Sequence, residues 1–197
     1  MNGNRLYADL ATMRGKDMYP SKELEQELVS KIFPHAPEEL ARSLSNVTGA
    51  FYGHTLKQAG LHYGWDKIDS LSKGLFRDLG STKRIEALEA GVSLPNDTRA
   101  LAIVIITAIF TSSPEYVFAI STYTPGETVF RLTGTCRYYR IAKKLNIEKH
   151  LTWPVLVPFF KSVAHDLGFS CSIQVTTDRL DDDGTCDFRF HCAMTNS

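Results

Sequence analysis

The chain has 197 residues, 43% of them hydrophobic, and its 22 basic residues are balanced by 22 acidic ones. A formal net charge of zero, with no basic run and no acidic tail, excludes the electrostatic attraction on which binding to nucleic acids or anionic membranes depends. We therefore expect a small-molecule substrate as partner, with no nucleic acid and no membrane, and a homo-oligomer is left open. No cofactor is expected.

The length suits a single domain over residues 1–197, with a helical half over about residues 1–112 and a sheet-containing half over about residues 113–197. Met1–Arg14 is polar and lacks the apolar core of a signal peptide. The longest apolar run, Ala100–Phe110, is about half of the roughly 20 residues that a helix needs to cross a bilayer. We expect a soluble, cytoplasmic protein.

Helices dominate the first half of the chain. Ser21 is a suitable N-cap, Pro37 suits a first helical turn, and glycines such as Gly80 stop the helices that follow. The predicted helices extend from Ser21 to Phe33, Pro37 to Tyr63, Lys67 to Leu79, Thr82 to Ala90 and Thr98 to Thr111. The last is apolar nearly all round, which indicates a buried central helix.

The period of the sequence changes after Pro114. β-branched and aromatic residues flank the turn Thr124-Pro125-Gly126-Glu127 and predict a hairpin. Strands are predicted over Tyr116–Tyr123, Thr128–Thr133, Cys171–Thr177 and Cys186–Cys192, with helices over Arg137–Leu145 and from Thr152 to Gly168. The predicted fold is α+β: an N-terminal helical layer packed on an antiparallel sheet of about four strands, closed by a C-terminal β-hairpin.

The C-terminal hairpin has one apolar and one polar face, because side chains alternate along a strand. In its last strand the apolar face carries Cys186, Phe188, Phe190 and Cys192, and the polar face carries Asp187, Arg189 and His191. A turn near Asp181-Asp182 would place Phe190, Phe188 and Cys186 opposite Ile173, Val175 and Thr177, and Arg189, Asp187 and His191 opposite Gln174, Thr176 and Ser172. Such a row of polar side chains is compatible with the solvent-exposed face of a sheet, with a ligand pocket or with a subunit interface.

The four cysteines, Cys136, Cys171, Cys186 and Cys192, show no spacing typical of a zinc site. No metal is therefore expected. Without an export signal, these cysteines are expected to be free thiols.

The segment Gly184-Thr185-Cys186-Asp187-Phe188-Arg189-Phe190 resembles the closing part of the L-2-amino-thiazoline-4-carboxylic acid hydrolase family. The order of the preceding parts also fits, with Cys136 before one helix and Gly168-Phe169 at the end of the next. The resemblance covers about residues 131–190. Members commonly carry a Cys and an Asp on the helix before the hairpin, and here Phe159 and Ser162 occupy those positions. The chain is identified as a divergent member.

This resemblance implies a small-molecule tailoring enzyme of secondary metabolism, either a hydrolase or a cyclase or isomerase. Such an enzyme acts on a C–N or C–S bond of a heterocycle or amidine-like group. Arg189 would clamp a substrate carboxylate, since guanidinium offers a bidentate fork. Cys186 would be the nucleophile, with Asp187 or His191 as base or orienting group.

Other candidate residues come from the strand opposite and from the helices. Gln174 and Thr176 share the polar face of the hairpin and would bind substrate, and Cys136 and Tyr139 would reach the same pocket. His54, on the long helix, would add a catalytic group from one wall.

Three alternatives remain open at this stage. Cys186 lies on the apolar face and could be a core residue, and Asp187 and Arg189 could pair with cross-strand neighbours. The layout also resembles 4-vinyl-reductase-like small-molecule-binding domains, which would bind a ligand without turning it over. The chain could also be a structural partner subunit that uses the polar hairpin face as its interface.

Overall fold

The computed structural model describes residues 5–195, and these divide between Leu44 and Ser45 into two compact units. Within this range lie eight α-helices and four β-strands. The α+β class, the four-stranded antiparallel sheet and the C-terminal hairpin are confirmed. The single domain expected over residues 1–197 stays a prediction, because a compact unit need not fold alone. Residues 1–4 of the polar N-terminal segment lie outside the described residues.

The first unit is helical. Its helices are α1 (Arg5–Asp9), α2 (Ala11–Arg14), α3 (Lys22–Lys31) and the beginning of α4 (Pro37–Tyr63). Ser21 caps α3 as predicted, because its Oγ accepts a hydrogen bond from the amide of Leu24 at 3.2 Å. The hydroxyls of Tyr7 and Tyr19 lie 3.0 Å apart and tie α1 to the segment before α3. The predicted bounds of α4 are confirmed.

The second unit contains the remaining helices and the whole sheet. These helices are α5 (Ile68–Glu89), α6 (Arg99–Ser112), α7 (Arg137–Lys144) and α8 (Val157–Asp166), with a 3₁₀ turn over Glu148–His150. Four of the six buried residues of α4 in this unit are small (Ser45, Gly49, Gly53 and Gly60), and a Cβ on Gly53 would lie 2.7 Å from Cγ1 of Ile141 in α7. None of the helices between residues 5 and 195 is long and apolar enough to cross a membrane.

Two predicted helix boundaries are wrong. α5 continues through Gly80, because this glycine allows α8 to approach: a Cβ there would lie 2.4 Å from the carbonyl oxygen of Phe159. α8 begins at Val157 and not at Thr152. The amide of Thr152 donates instead to Asp69 of α5 at 2.7 Å, and the proline in the first turn of α8 is Pro158.

The sheet contains β1 (Tyr116–Tyr123), β2 (Glu127–Thr135), β3 (Cys171–Leu180) and β4 (Thr185–Met194) in the order β1-β2-β4-β3. All neighbouring strands are antiparallel. The rings of Phe130 and Phe190 stack 5.1 Å apart between β2 and β4, and Phe160 of α8 packs on both. The core therefore lies between the inner face of the sheet and the helices.

The two faces of the C-terminal hairpin are as predicted, but its register is wrong by two residues. Phe190 lies opposite Val175, Arg189 opposite Thr176 and His191 opposite Gln174. A bulge between Thr177 and Arg179 then places Asp187 opposite Arg179. The turn runs from Asp181 to Thr185, one residue beyond the predicted centre, because Gly184 supplies a positive φ of 88° and donates to the Asp181 carbonyl at 2.8 Å.

Candidate functional site

The polar residues predicted for the active site lie on the outer, solvent-facing side of the sheet. Nε of Arg131 donates to Oδ1 of Asp187 at 2.6 Å, and Arg189 donates to Asp178 at 3.2 Å. The Arg131 guanidinium holds the pKa of Asp187 below its ordinary value. Nε2 of His191 lies 2.8 Å from Oε1 of Glu127. Gln174 and Thr176 are exposed on the same face, opposite His191 and Arg189.

The two predicted cysteines lie on the inner side of the sheet. Cys186 and Cys136 are each 2% exposed. Burial raises the pKa of Cys186 to about 12, and it also raises the pKa of Cys136 above its ordinary value. Both groups are therefore neutral thiols at physiological pH, and a neutral thiol is a poor nucleophile. Cys186 has the surroundings of a core cysteine, which is one of the two alternatives left open by the sequence.

The remaining two predicted residues come from helices. His54 is exposed on α4. Tyr139 of α7 is half-buried and its ring packs edge-on against Trp153, with the ring centroids 4.9 Å apart. The structure thus places the nine predicted site residues on the outer sheet face, in the core and on two helices. It brings together only the five on the outer face, Asp187, Arg189, His191, Gln174 and Thr176.

A cleft of about 940 Å³ lies elsewhere in the second unit, between α5, α8, the segment that precedes α8, and β3. Its volume is that of a pocket for a small molecule. Trp153, Pro154, Val155, Val157 and Val175 form an apolar wall. None of the nine predicted residues lines this cleft, although Trp153 carries the ring against which Tyr139 packs.

Two of the carboxylates in the cleft already have hydrogen-bond and ion-pair partners within the protein. Asp69 accepts from Nζ of Lys73 at 2.5 Å and from the amide of Thr152 at 2.7 Å. Burial alone would raise the pKa of Asp69, but these hydrogen bonds outweigh it and lower the pKa. Asp166 accepts from Oγ of Ser81 at 2.6 Å and lies 3.5 Å from Nε of Arg84. The hydrogen bond from Ser81 is the main cause that lowers the pKa of Asp166.

Three charged side chains of the cleft have no ion-pair partner within residues 5–195: Arg77 and Asp78 on α5, and Lys161 on α8. The backbone carbonyl of Arg77 is fixed, since it accepts from Oγ of Ser162 at 2.7 Å. This hydrogen bond joins the two helical walls. The cleft can therefore offer two cations and one carboxylate to a ligand.

His165 lies at the α8 wall of the cleft. Its Nδ1 lies 3.3 Å from Oδ1 of Asp166, and its side chain is 88% exposed. A carboxylate on Nδ1 favours the tautomer that leaves Nε2 free to accept a proton. The pair therefore has the elements of a general base and its orienting group.

None of these charged cleft residues is among the site residues predicted from the sequence. The available indications were the helical spacings of Lys73 with Arg77 and of Lys161 with His165, each of which places two basic groups four residues apart on one helix face. Among the described residues, no group of three or more His, Cys, Asp or Glu side chains is placed to hold a metal ion.

Comparisons with models of known protein families, with curated proteins and with solved structures find no match for this chain. The resemblance to the thiazoline hydrolase family therefore stays a prediction. Of the two positions at which the resemblance predicts a Cys and an Asp, Ser162 lines the cleft and Phe159 is buried.

Proposed function

We propose that this protein binds a small molecule that carries both a carboxylate and a cationic, amidine-like group, and that the cleft between α5 and α8 is its binding site. The observation that carries the proposal is the pair Arg77 and Lys161. These two cations lie on opposite helical walls of one cleft and have no carboxylate partner in the described part of the chain. An unpaired cation beside an apolar wall suits an anion with an apolar body.

The three unpaired groups have distinct roles in this proposal. The planar fork of Arg77 can bind a carboxylate through two hydrogen bonds, and Lys161 adds a point charge from the facing wall. Asp78 can accept hydrogen bonds from an amidinium group. The apolar wall around Trp153 and Val155 packs against the ring of the ligand.

We further propose the reaction implied by the thiazoline hydrolase resemblance. Water adds to the ring carbon between sulfur and nitrogen, and Nε2 of His165 takes one of its protons. The C–S bond then breaks, the water oxygen becomes a urea oxygen, and the two protons of water end on the ring nitrogen and on the sulfur. Asp166 orients His165 during this step and stabilises its protonated form.

Binding and turnover can be measured with 2-amino-2-thiazoline-4-carboxylate as the probe, by calorimetry and by release of the free thiol. 2-Amino-2-thiazoline, which lacks the carboxylate, is the matched ligand. We expect binding of the carboxylate probe and loss of about tenfold to a hundredfold in affinity for Arg77→Gln, because a charged hydrogen bond contributes about 1.5–3 kcal/mol. Lys144→Gln, which changes an exposed lysine of α7 outside the cleft, should leave the affinity unchanged.

The outer sheet face provides the competing location for the same activity. If Arg189→Gln weakens binding and Arg77→Gln does not, the cleft is not the site and the assignment from the resemblance gains support. Loss of thiol release in His165→Gln with binding retained supports the proposed base. Loss of thiol release in a folded Cys186→Ser variant, with His165→Gln unaffected, would restore Cys186 as nucleophile.

A non-catalytic small-molecule-binding domain is the second candidate function. It is favoured by the burial of Cys136 and Cys186, whose raised pKa values leave no activated thiol among the residues taken from the resemblance. Binding of the carboxylate probe without any thiol release would support this candidate over the enzyme.

A further inference from the structure

One edge of the sheet is unusually apolar. β1 is an edge strand, and its eight residues, Tyr-Val-Phe-Ala-Ile-Ser-Thr-Tyr, include no charged side chain and no proline. Val117 is 67% exposed, and Phe110, which packs on Phe118 with ring centroids 6.0 Å apart, is 75% exposed. Such an edge presents main-chain groups and apolar side chains that favour pairing with another strand.

The opposite edge has the protection that β1 lacks. β3 carries Asp178 and Arg179 in its exposed half, and the register shifts between Thr177 and Arg179. Charged side chains and bulges are the usual means of blocking unwanted strand pairing. The only irregularity in β1 lies between Ile120 and Thr122, so the stretch from Tyr116 to Ile120 pairs with β2 without interruption.

The hydrogen-bond ladder between β1 and β2 determines which main-chain groups of β1 are left unpaired at the free edge. The carbonyl of Glu115 accepts from the amide of Thr135, so this opposed pair is a hydrogen-bonded one. Hydrogen-bonded pairs alternate along an antiparallel ladder, and Val117 and Ala119 therefore also bond to β2. The N–H and C=O groups of Phe118 and Ile120 consequently point away from the sheet.

We propose that β1 pairs antiparallel with β1 of a second copy of this chain, about a two-fold axis at Ala119. In this register Phe118 of each copy lies opposite Ile120 of the other, and the two opposed pairs exchange four main-chain hydrogen bonds. The result is one continuous eight-stranded sheet. This interface is independent of the proposed ligand site, since no residue of β1 lines the α5–α8 cleft.

The side chains at the axis suit this pairing. Ala119 meets its own symmetry copy at a non-hydrogen-bonded position, where Cα atoms are about 4.5 Å apart and a small side chain is required. A groove of about 390 Å³ beside the edge is lined by Ile109, Phe110, Pro114, Tyr116, Val117 and Phe118. This groove provides apolar surface that the second copy can cover next to the paired strands.

The register can be tested by oxidative crosslinking of the full chain. Ala119→Cys places two thiols at a Cα separation suited to a disulfide, so oxidation should give a covalent dimer on a non-reducing gel. Val117→Cys is the matched control, because Val117 faces Ser121 of the other copy and not itself. The wild-type chain controls for Cys136, Cys186 and Cys192, which are buried, and for Cys171. No crosslink with Ala119→Cys, or equal crosslinking with Val117→Cys, would overturn the register.

Sedimentation analysis tests the dimer itself with a second pair of variants. Ala119→Glu places two carboxylates opposite each other at the axis but keeps Arg131 as a cross-strand neighbour within each copy. Thr176→Glu makes the same change on the other edge strand, where Arg189 is the cross-strand neighbour. We expect twice the mass of the chain for the wild type and for Thr176→Glu, and a single-chain mass for Ala119→Glu. A wild type of single-chain mass at all concentrations, or a dimer that survives in Ala119→Glu, would overturn the proposal.

Discussion

The guanidinium of Arg137 lies 2.6 Å from Oε1 of Glu115, and the two side chains are only 3% and 11% exposed. Nη1, the guanidinium nitrogen next to Glu115, also donates to Oγ of Ser45 at 2.6 Å and to the carbonyl of Ser112 at 2.8 Å. The other terminal nitrogen donates to the hydroxyl of Tyr138 at 2.7 Å. This one side chain therefore connects α4, the end of α6, the residue before β1, and α7.

Removal of the Arg137 charge should destabilise the protein strongly. Arg137→Gln leaves Glu115 buried without its partner, and breaking one side of a buried ion pair costs about 3–5 kcal/mol. Equilibrium unfolding in urea measures the change. Arg179→Gln is the control, because Arg179 and its partner Asp181 are 60% and 44% exposed, and such a pair contributes less than about 1 kcal/mol. Equal effects of the two substitutions would contradict the structural role of Arg137.

Two glycines of α5 should respond to alanine in opposite ways. A Cβ on Gly80 would lie 2.4 Å from the Phe159 carbonyl oxygen, whereas a Cβ on Gly74 would have nothing within 4 Å. Gly74→Ala should stabilise the protein by about 0.5–1 kcal/mol through helix propensity. Gly80→Ala should destabilise it by about 1–3 kcal/mol, because α8 must move away from α5. Thermal unfolding of both variants checks this, and stabilisation by Gly80→Ala would show that the helices are not in close contact.

The buried thiols predict a loss of stability in alkaline solution. Burial raises the pKa values of Cys186 and Cys192 to about 12, whereas an unfolded cysteine ionises near pH 8.5. Below the pKa of the unfolded cysteine, the thiol is protonated in both the folded and the unfolded chain, and its contribution to the unfolding free energy is fully present. Between about pH 9 and 12 the unfolded chain loses the proton first, so each thiol should reduce the unfolding free energy by about 1.4 kcal/mol per pH unit.

The measurement is urea unfolding at several pH values between 8 and 11, comparing the wild type with Cys192→Ala. In the variant, the unfolding free energy should fall less steeply with pH than in the wild type, because the alanine side chain does not ionise. The difference between the two slopes is the contribution of one thiol. Parallel curves for the two proteins would mean that Cys192 ionises equally in the folded and unfolded states.

Hydrogen bonds from the amide and the hydroxyl of Thr152 to Asp69 should hold the segment before α8 against α5. Asp69→Asn retains the size of the side chain but removes its charge, and we expect a loss of about 1–3 kcal/mol, as is typical of hydrogen bonds to charged groups. Because Thr152 and Trp153 line the cleft, affinity for the thiazoline carboxylate should fall as well. Asp66→Asn, which alters an exposed pair with Lys67, is the control and should change neither quantity.

Local rules in the sequence were sufficient for most elements. The bounds of α4 follow from Pro37 at its beginning and Gly64 after its end, and Gly64 has a positive φ of 102°. The faces of β4 follow from strict alternation. The sequence predicts a helix end at Gly80 because a glycine that admits a neighbouring helix and a glycine that ends a helix have the same local sequence. Only the position of α8 distinguishes them.

The candidate site was the least predictable part, for a related reason. Arg77 and Lys161 lie 84 positions apart, and each is an ordinary exposed cation when its own helix is considered alone. Their significance depends on the packing of α5 against α8, which is set by contacts such as Gly80 with Phe159. Asp187 and Arg189 are close in sequence, yet their hydrogen-bonded charged partners, Arg131 and Asp178, come from two other strands.

The strand order has a consequence for synthesis of the chain. β4 is made after the other three strands of this sheet, and it lies between β2 and β3 in the finished sheet. Until Thr185–Met194 has left the ribosome, β3 has no neighbour, and the inner edge of β2 is open to other chains. The nascent protein therefore carries unpaired strand edges from the completion of β2 until β4 has emerged, and deletion of the ten residues of β4 should leave a species that needs chaperones and does not fold.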